Sequence, residues 1–144
     1  MSNFSEQLAE LMAEDNLTQS ALATAMNTSG SKFSLYLSGK STPTYPFFIA
    51  LIEFFHCSAD FLIGLTEYPK RDVIYRPVQP FGTQLRKILQ EKGISQYSLI
   101  KSTELSWSIL HGWLTNKTLP SLDNILKLIK KLDCSVDYLL GRES

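Results

Sequence analysis

Apolar positions along this chain follow the spacing of amphipathic helices rather than that of strands. In residues 81–144, Phe81, Leu85 and Ile88 lie at positions i, i+4 and i+7, which places them on one face of a helix that Gly93 ends. Four shorter apolar segments follow, and each is preceded by a serine that can cap a helix N-terminus. These serines are Ser95, Ser106, Ser121 and Ser135. The pattern predicts five helices and no strand in this part of the chain.

The same pattern occurs twice, because a shift of 77 residues brings the first half of the chain onto the second without a gap. Identical residues then include the pairs Gln19/Gln96, Lys40/Lys117, Cys57/Cys134, Asp60/Asp137 and Gly64/Gly141. A repeat of this length exceeds the roughly 20 to 50 residues of a solenoid unit and is long enough for a small domain. The sequence therefore predicts an all-α protein with a first domain at 1–66, a linker at 67–80 and a second domain at 81–144.

The two repeats differ in charge, although the chain as a whole has a formal net charge of zero. Residues 1–66 hold two Lys/Arg against six Asp/Glu, a balance of −4. Residues 81–144 hold nine Lys/Arg against six Asp/Glu, a balance of +3. A polyanion is therefore expected to prefer the second repeat.

Several classes of protein are disfavoured by what the sequence lacks. No apolar run reaches transmembrane length, and residues 1–6 lack the basic start and apolar segment of a secretory signal, so we expect a cytoplasmic protein with no membrane partner. Cys57 and Cys134 are predicted to be buried small residues rather than a disulfide. No Cys/His spacing suggests a metal, and no catalytic set or phosphate-binding loop is present. We expect no enzyme activity, no cofactor and no small-molecule ligand.

Two short helices separated by about three residues define a helix-turn-helix, and the second repeat contains such a pair. Its motifs are Ser95-Gln96-x-x-Leu99-Ile100, Trp113-Leu114-x-Asn116-Lys117-x-x-Pro120 and Cys134-Ser135-Val136-Asp137-Tyr138-Leu139-Leu140-Gly141. The first repeat has the matching Thr18-Gln19-x-x-Leu22-Ala23, Tyr36-Leu37-Ser38-Gly39-Lys40-x-x-Pro43 and Ser58-Ala59-Asp60-Phe61-Leu62-Ile63-Gly64. In this order the motifs resemble the Cro/phage-repressor (XRE) family of transcriptional regulators. The resemblance implies two tandem lambda-repressor-like helix-turn-helix domains of five helices each.

The resemblance also implies which residues face double-stranded DNA. Gln19 and Gln96 begin the second helix of each domain, where the family contacts a phosphate. Lys40 and Lys117 lie in the loop after the third helix, where the family touches the backbone. The third helix enters the major groove. It exposes Ser29, Ser31 and Lys32 in the first domain and Ser106, Trp107, Ser108 and His111 in the second. The alternatives are a glutamine that caps its own helix and a solvated loop lysine.

The third helices depart from the usual pattern of a DNA-reading helix. Arg, Gln and Asn are the side chains that pair bidentately with base edges, and these helices carry almost none. His111 is either a DNA contact or an ordinary surface histidine, and Trp107 packs either on the sugar-phosphate backbone or on a neighbouring helix. Tyr36 and Trp113 are predicted to be core residues.

The fourth helix distinguishes the two repeats. Residues 122–132 are apolar on one side and basic on the other, whereas residues 45–55 are apolar nearly all round. A helix of the second kind must be buried on nearly all sides. We therefore expect Phe47, Phe48 and Phe54 to form a dimer contact or a docking face for the second domain.

These observations predict a DNA-binding transcriptional regulator, a repressor, that recognises a bipartite operator as a homodimer or as an intramolecular pseudo-dimer. A free linker of 14 residues reaches at most about 45 Å, and successive half-sites on one face of DNA are about 34 Å apart. The alternative is a protein-interaction or antitoxin-type module that keeps the fold but binds DNA weakly or not at all through its first domain. Zero net charge and the acidic first repeat favour this alternative.

Overall fold

A computed structural model describes residues 3–143, and this part of the chain is helical with no strand. It forms two compact units that divide between Asp72 and Val73. The first unit contains α1 (Phe4–Glu14), α2 (Gln19–Ala25), α3 (Gly30–Leu37), α4 (Tyr45–Phe55) and α5 (Ala59–Ile63). The second contains α6 (Phe81–Lys92), α7 (Gln96–Thr103), α8 (Trp107–Leu114), α9 (Leu122–Leu132) and α10 (Val136–Leu139). The prediction of an all-α fold with five helices in each unit is confirmed. No helix in the described range is long and apolar enough to cross a membrane.

Polar caps explain why the helices of the second unit begin where the sequence predicts. Each of the four predicted serines accepts a hydrogen bond from a backbone N–H in the first turn of its helix. The donors to Ser95, Ser106, Ser121 and Ser135 are the amides of Ser98, Ile109, Asn124 and Tyr138, at 3.0, 3.2, 3.2 and 2.9 Å. Such a cap contributes about 1 kcal/mol to helix stability.

The backbone of the first unit recurs in the second even where the side chains differ. Five positions in the five-helix part of the first unit have a positive φ, and all five equivalent positions of the second unit also have one. The pairs are Asn16/Gly93, Asn27/Glu104, Gly39/Asn116, His56/Asp133 and Gly64/Gly141. Positive φ is strained for most residues other than glycine, so a shared fold must impose it at Glu104, His56 and Asp133. The two units therefore share the backbone conformation of their turns as well as part of their sequence.

An aromatic cluster forms part of the core of the first unit. The Tyr36 ring lies 5.7 Å from Phe4, 5.9 Å from Phe33 and 5.8 Å from Phe47, measured between ring centroids. Tyr36 is buried, as predicted. Burial also raises the pKa of Tyr45, at the start of α4, to about 12.

The interface expected on α4 stays a prediction, and the structure places its three phenylalanines differently. Phe48 is fully buried on the side of α4 that also carries the buried Ile52 and Phe55, so it offers no surface to a second chain. Phe47 is half-buried and packs against the rings of Phe33 and Tyr36. Phe54 is exposed by 41%, with its ring edge-on to Phe55 at 5.0 Å. The extra apolar side of α4 is therefore covered in part by α3, and Phe54 remains at the surface.

The second unit is built around Trp113, which is buried as predicted and lies edge-on to Phe81 at 5.9 Å. Among the described residues no disulfide joins the two cysteines; Cys57 is buried and Cys134 is half-buried.

A buried ion pair joins the end of the second unit to its last helix. Arg142 Nη1 donates to Asp137 Oδ1 at 2.7 Å, and the two side chains are only 3% and 2% exposed. The guanidinium also lies over the Tyr75 ring, 3.9 Å from its centroid. The positions equivalent to Asp137 and Arg142 in the first unit hold Asp60 and Leu65, so this pair belongs to the second unit alone.

The first part of the predicted linker is attached to the first unit. Ser58 N donates to Pro69 O at 2.8 Å, and Arg71 Nε donates to the carbonyl of Phe55, the last residue of α4, at 3.0 Å. The same guanidinium binds Asp15 at the end of α1 through two hydrogen bonds of 2.8 Å. Arg71 therefore holds the ends of α1 and α4 together.

The second part of the linker is attached to the second unit. Arg76 N donates to Arg142 O, and Gln79 N donates to Leu140 O, both at 2.9 Å. Only residues 72–75 lie between the two anchored arginines, Arg71 and Arg76, which limits the distance that they can span to about 18 Å. The connector therefore reaches much less far than the 45 Å expected of an unattached segment.

Replacing Asp15 with asparagine is expected to lower the free energy of unfolding by about 1 kcal/mol at pH 7. The hydrogen bonds from Arg71 hold the pKa of Asp15 below its usual value. A lowered carboxyl pKa contributes stability above the unfolded pKa of about 3.9, and this contribution is lost as the pH falls through the folded pKa. Urea denaturation from neutral to acid pH should show the difference between variant and wild type disappear on acidification. Glu10→Gln, on the exposed side of α1, is the control, and a difference that does not change with pH would contradict the role of Arg71.

Candidate nucleic-acid interface

Each unit presents a pair of helices joined by a short turn, α2 and α3 in the first and α7 and α8 in the second. The turn contains a left-handed residue at the same position in both units, Asn27 in one and Glu104 in the other. All eleven residues that the sequence predicts to face DNA are exposed. Whether they touch DNA remains a prediction, but each is accessible to it.

The first turn of α2 and α7 exposes a glutamine that does not serve as the helix cap. Thr18 Oγ1 accepts from Ala21 N at 3.0 Å, and Ser95 Oγ accepts from Ser98 N at the same distance. The capping position is thus filled by the preceding residue in both units. Gln19 and Gln96 extend into solvent beside the positive end of the helix dipole, where an amide donor suits a phosphate oxygen.

The third helix of the first unit has a small, polar exposed side. Ser29 makes no capping bond, and its Oγ lies 3.1 Å from Ser31 Oγ. Lys32 Nζ lies over the Phe47 ring, 4.6 Å from the centroid. This contact holds the ammonium close to the helix while the side chain stays exposed. Leu35 adds an apolar group that is 47% exposed.

The third helix of the second unit is more apolar on its exposed side. Ser106 caps the helix, so its oxygen already accepts a bond from Ile109 N. Trp107 is 52% exposed and Ile109 is 42% exposed, while Ser108 and His111 are also accessible. Trp107 is therefore not buried beneath a neighbouring helix.

Two exposed apolar side chains near this surface were missed from the sequence. Ile109 stands at the position that Lys32 occupies in the first unit, and Tyr97 follows Gln96 at the start of α7 with 62% of its surface exposed. Lys101 Nζ lies 5.9 Å from the centre of the Tyr97 ring. The exposure of Tyr97 could have been predicted from helical spacing, because Leu99 and Thr103 mark the buried side of α7 and Tyr97 lies outside that side.

The loop after the third helix holds a lysine on the same turn in both units. Lys40 N donates to Leu35 O at 3.0 Å, and Lys117 N donates to Gly112 O at 2.9 Å. In the second unit Asn116 Oδ1 also accepts from Gly82 N at 2.8 Å, which ties the loop to the start of α6. Both lysines are therefore carried on a fixed turn rather than on a loose loop.

Charge near these helices differs from the charge of the whole units. Residues 16–44 of the first unit contain Lys32 and Lys40 and no acidic residue, a local charge of +2. The equivalent residues 93–121 contain two lysines and Glu104, a local charge of +1. The acidic residues of the first unit lie on α1, α4 and α5, at Asp15 directly after α1, and in the connector. Because salt screens charges over roughly 8 to 10 Å, a phosphate at the helix pair senses mainly the local balance.

No group of His, Cys, Asp and Glu in residues 3–143 is arranged to hold a metal ion. The arrangement offers amide, hydroxyl and ammonium donors on two fixed helix pairs, which suits binding to a phosphate backbone more than chemistry on a substrate.

These helix pairs define the chain as a tandem helix-turn-helix protein. Residues 84–144 match the Cro/C1-type HTH DNA-binding domain, and residues 3–61 match a helix-turn-helix domain family. The resemblance to the Cro/XRE family of regulators is thereby confirmed. No curated protein and no solved structure matches the chain. The matched domains indicate a DNA-binding regulator rather than an enzyme.

Proposed function

We propose that this protein is a transcriptional repressor that acts in the cytoplasm and binds a bipartite operator, with one half-site for each helix-turn-helix unit. The observation that supports this most strongly is the duplicated set of exposed donors on matching backbone. Gln19 and Lys40 in the first unit correspond to Gln96 and Lys117 in the second, and all four side chains are accessible.

The groups that should provide affinity for DNA differ from the groups that should read its sequence. Glutamine amides, lysine ammonium groups and helix N–H groups bind phosphates and carry no sequence information directly. The third helices offer hydroxyls, the imidazole of His111 and apolar contacts for thymine methyl groups. We infer that affinity comes mainly from the backbone contacts and that each half-site is read with modest discrimination, so that two half-sites are needed.

The first unit is included in this proposal because of its local charge. The region from Asn16 to Thr44 has no acidic residue and two exposed lysines. Its negative balance lies on other helices, and part of it is bound to Arg71 through Glu14 and Asp15. Both units therefore offer a surface that attracts phosphate.

Replacing Gln96 and Lys117 with alanine is expected to lower the affinity for operator DNA about 10-fold, and Gln19→Ala with Lys40→Ala should do the same for the first unit. The loss should be nearly equal on all DNA sequences, because phosphate contacts do not read bases. The slope of log affinity against log salt should fall by about 1 for each lysine removed. Fluorescence anisotropy on duplexes selected from a random pool provides the measurement.

The matched control is Lys87→Ala with Gln90→Ala, which removes the same residue types from the exposed side of α6 and should leave DNA affinity unchanged. If selection enriches no motif and no binding appears at low salt, the regulator proposal is wrong. If only the second-unit pair matters, the first unit does not contact DNA.

A protein-interaction or antitoxin-type module is the second candidate, and one observation favours it. The third helices expose Leu35, Trp107 and Ile109, which are large apolar side chains on the surface that should enter the groove. Such side chains are typical of protein contacts. The salt experiment separates the candidates, because protein docking through these residues would depend weakly on salt.

A further inference from the structure

The face formed by the end of the second helix and the outer side of the fourth helix has opposite character in the two units. In the second unit it is a shallow groove of about 350 Å³ between the end of α7 and α9. We call it the lysine face; its lining residues are Ser102, Thr103, Glu104, Lys127, Lys130 and Lys131. Within residues 3–143, none of these lysines forms an ion pair with an acidic side chain.

The equivalent face of the first unit is mainly apolar and carries one acidic side chain. A shift of 77 residues replaces Lys127 by Ala50, Lys131 by Phe54 and Lys130 by Glu53. We call this the apolar face; it consists of Ala25, Met26, Asn27, Ala50, Glu53 and Phe54. Phe54 and Glu53 are exposed, and Met26 and Ala50 are half-buried.

We propose that the apolar face of one chain docks on the lysine face of a second copy of this chain. Lysine stems are apolar and can cover Phe54, while an ammonium group can lie over its ring or reach Glu53. The opposite balances of the two units, −4 and +3, favour this pairing over contacts between two apolar faces, which would bring Glu53 close to its own copy. Each chain carries both faces, and the proposal includes that two chains make the contact twice and form a closed dimer rather than an open chain of molecules.

The proposed contact does not involve the glutamines expected to contact phosphate. Ala25 and Thr103 end α2 and α7, whereas Gln19 and Gln96 begin them, and the two ends of α7 are about 12 Å apart. The contact does not rest on the proposed function, because it requires no DNA.

Charge reversal at one residue of each face provides the test. Glu53→Lys and Lys130→Glu each place like charges against each other in the homodimer, and because the contact is made twice we expect dimer affinity to fall about 100-fold. Sedimentation of the full chain without DNA should show a dimer for the wild type and a monomer for each variant. An equimolar mixture of the two variants should sediment as a dimer, since the substituted residues then face each other as opposite charges.

Glu10→Lys and Lys87→Glu reverse exposed charges away from both faces and should leave the dimer intact, and circular dichroism checks that every variant is folded. The proposal is overturned if the wild type is a monomer, if the single variants stay dimeric, or if the mixture stays monomeric. It is also overturned if Lys130→Glu weakens DNA binding without changing the mass, because the lysine face would then bind nucleic acid.

Discussion

Replacing Arg142 with methionine is expected to lower the free energy of unfolding of the second unit by about 3 to 5 kcal/mol. The variant keeps the aliphatic volume near Tyr75 but leaves the Asp137 carboxylate buried without the guanidinium charge, and such a carboxylate is costly to keep out of water. A domain of about 70 residues has a total stability of the same order. We therefore expect the second unit to be largely unfolded at 37 °C while the first unit persists.

The two tryptophans make this measurement specific, because Trp107 and Trp113 both lie in the second unit. Urea denaturation followed by tryptophan fluorescence reports this unit, and circular dichroism reports both. Arg76→Met removes an exposed arginine from the same unit and is the control.

A double-mutant cycle separates the ion pair from the loss of packing. Asp137→Ala with Arg142→Met should cost less than the sum of the two single changes by about 2 kcal/mol or more, because neither partner is then left buried alone. A loss below about 1 kcal/mol for Arg142→Met would show that water reaches the carboxylate and that the pair is not needed.

Moving the two half-sites of the operator apart by five base pairs is expected to weaken binding about 100-fold or more. Five base pairs are half a helical turn, so the second half-site then faces the opposite side of the DNA. The anchored connector leaves only residues 72–75 to absorb the change. Anisotropy with half-sites at the selected spacing, at five added base pairs and at ten should show the weakest binding at five, close to that of a single half-site.

A variant with a longer connector tests whether the short connector causes this dependence on spacing. Inserting about ten Gly/Ser residues after Asp72 should make the chain tolerant of spacing, since a flexible segment no longer fixes the second unit. Equal affinity at all spacings for the unaltered chain would contradict the bipartite proposal. Equal affinity for one and two half-sites would show that a single unit accounts for the binding.

The helix boundaries were predictable because their determinants are local. A serine cap accepts a hydrogen bond from an amide three residues away, and a residue with positive φ ends a helix through its own turn. The helix start at Ser95 and the helix end at Gly93 can therefore be predicted from the local sequence. The register of the repeat then transfers the same boundaries to the first unit. The exposure of the predicted DNA-facing residues follows from the same periodicity.

The features that escaped prediction depend on contacts between distant parts of the chain. Phe48 and Phe54 look alike in the sequence, and only the packing of α4 decides that one is core and the other is surface. Arg142 follows a helix stop, where arginine is normally solvated, and its burial requires Asp137 and the connector residue Tyr75. Arg71 reaches Asp15 across 56 residues of sequence.

Matching left-handed residues flank the helix pair of each unit, so the two helix pairs can be exchanged between the units. Residues 17–38 lie between Asn16 and Gly39, and residues 94–115 lie between the equivalent Gly93 and Asn116, so both segments start and end on backbone of the same hand. A segment exchanged at these positions carries both helices of the pair into a unit whose flanking residues already have matching backbone torsions, and a lysine follows the segment in both units. A chain with two identical helix pairs would recognise the same half-site twice, so exchanging this segment is a way to build new operator specificities.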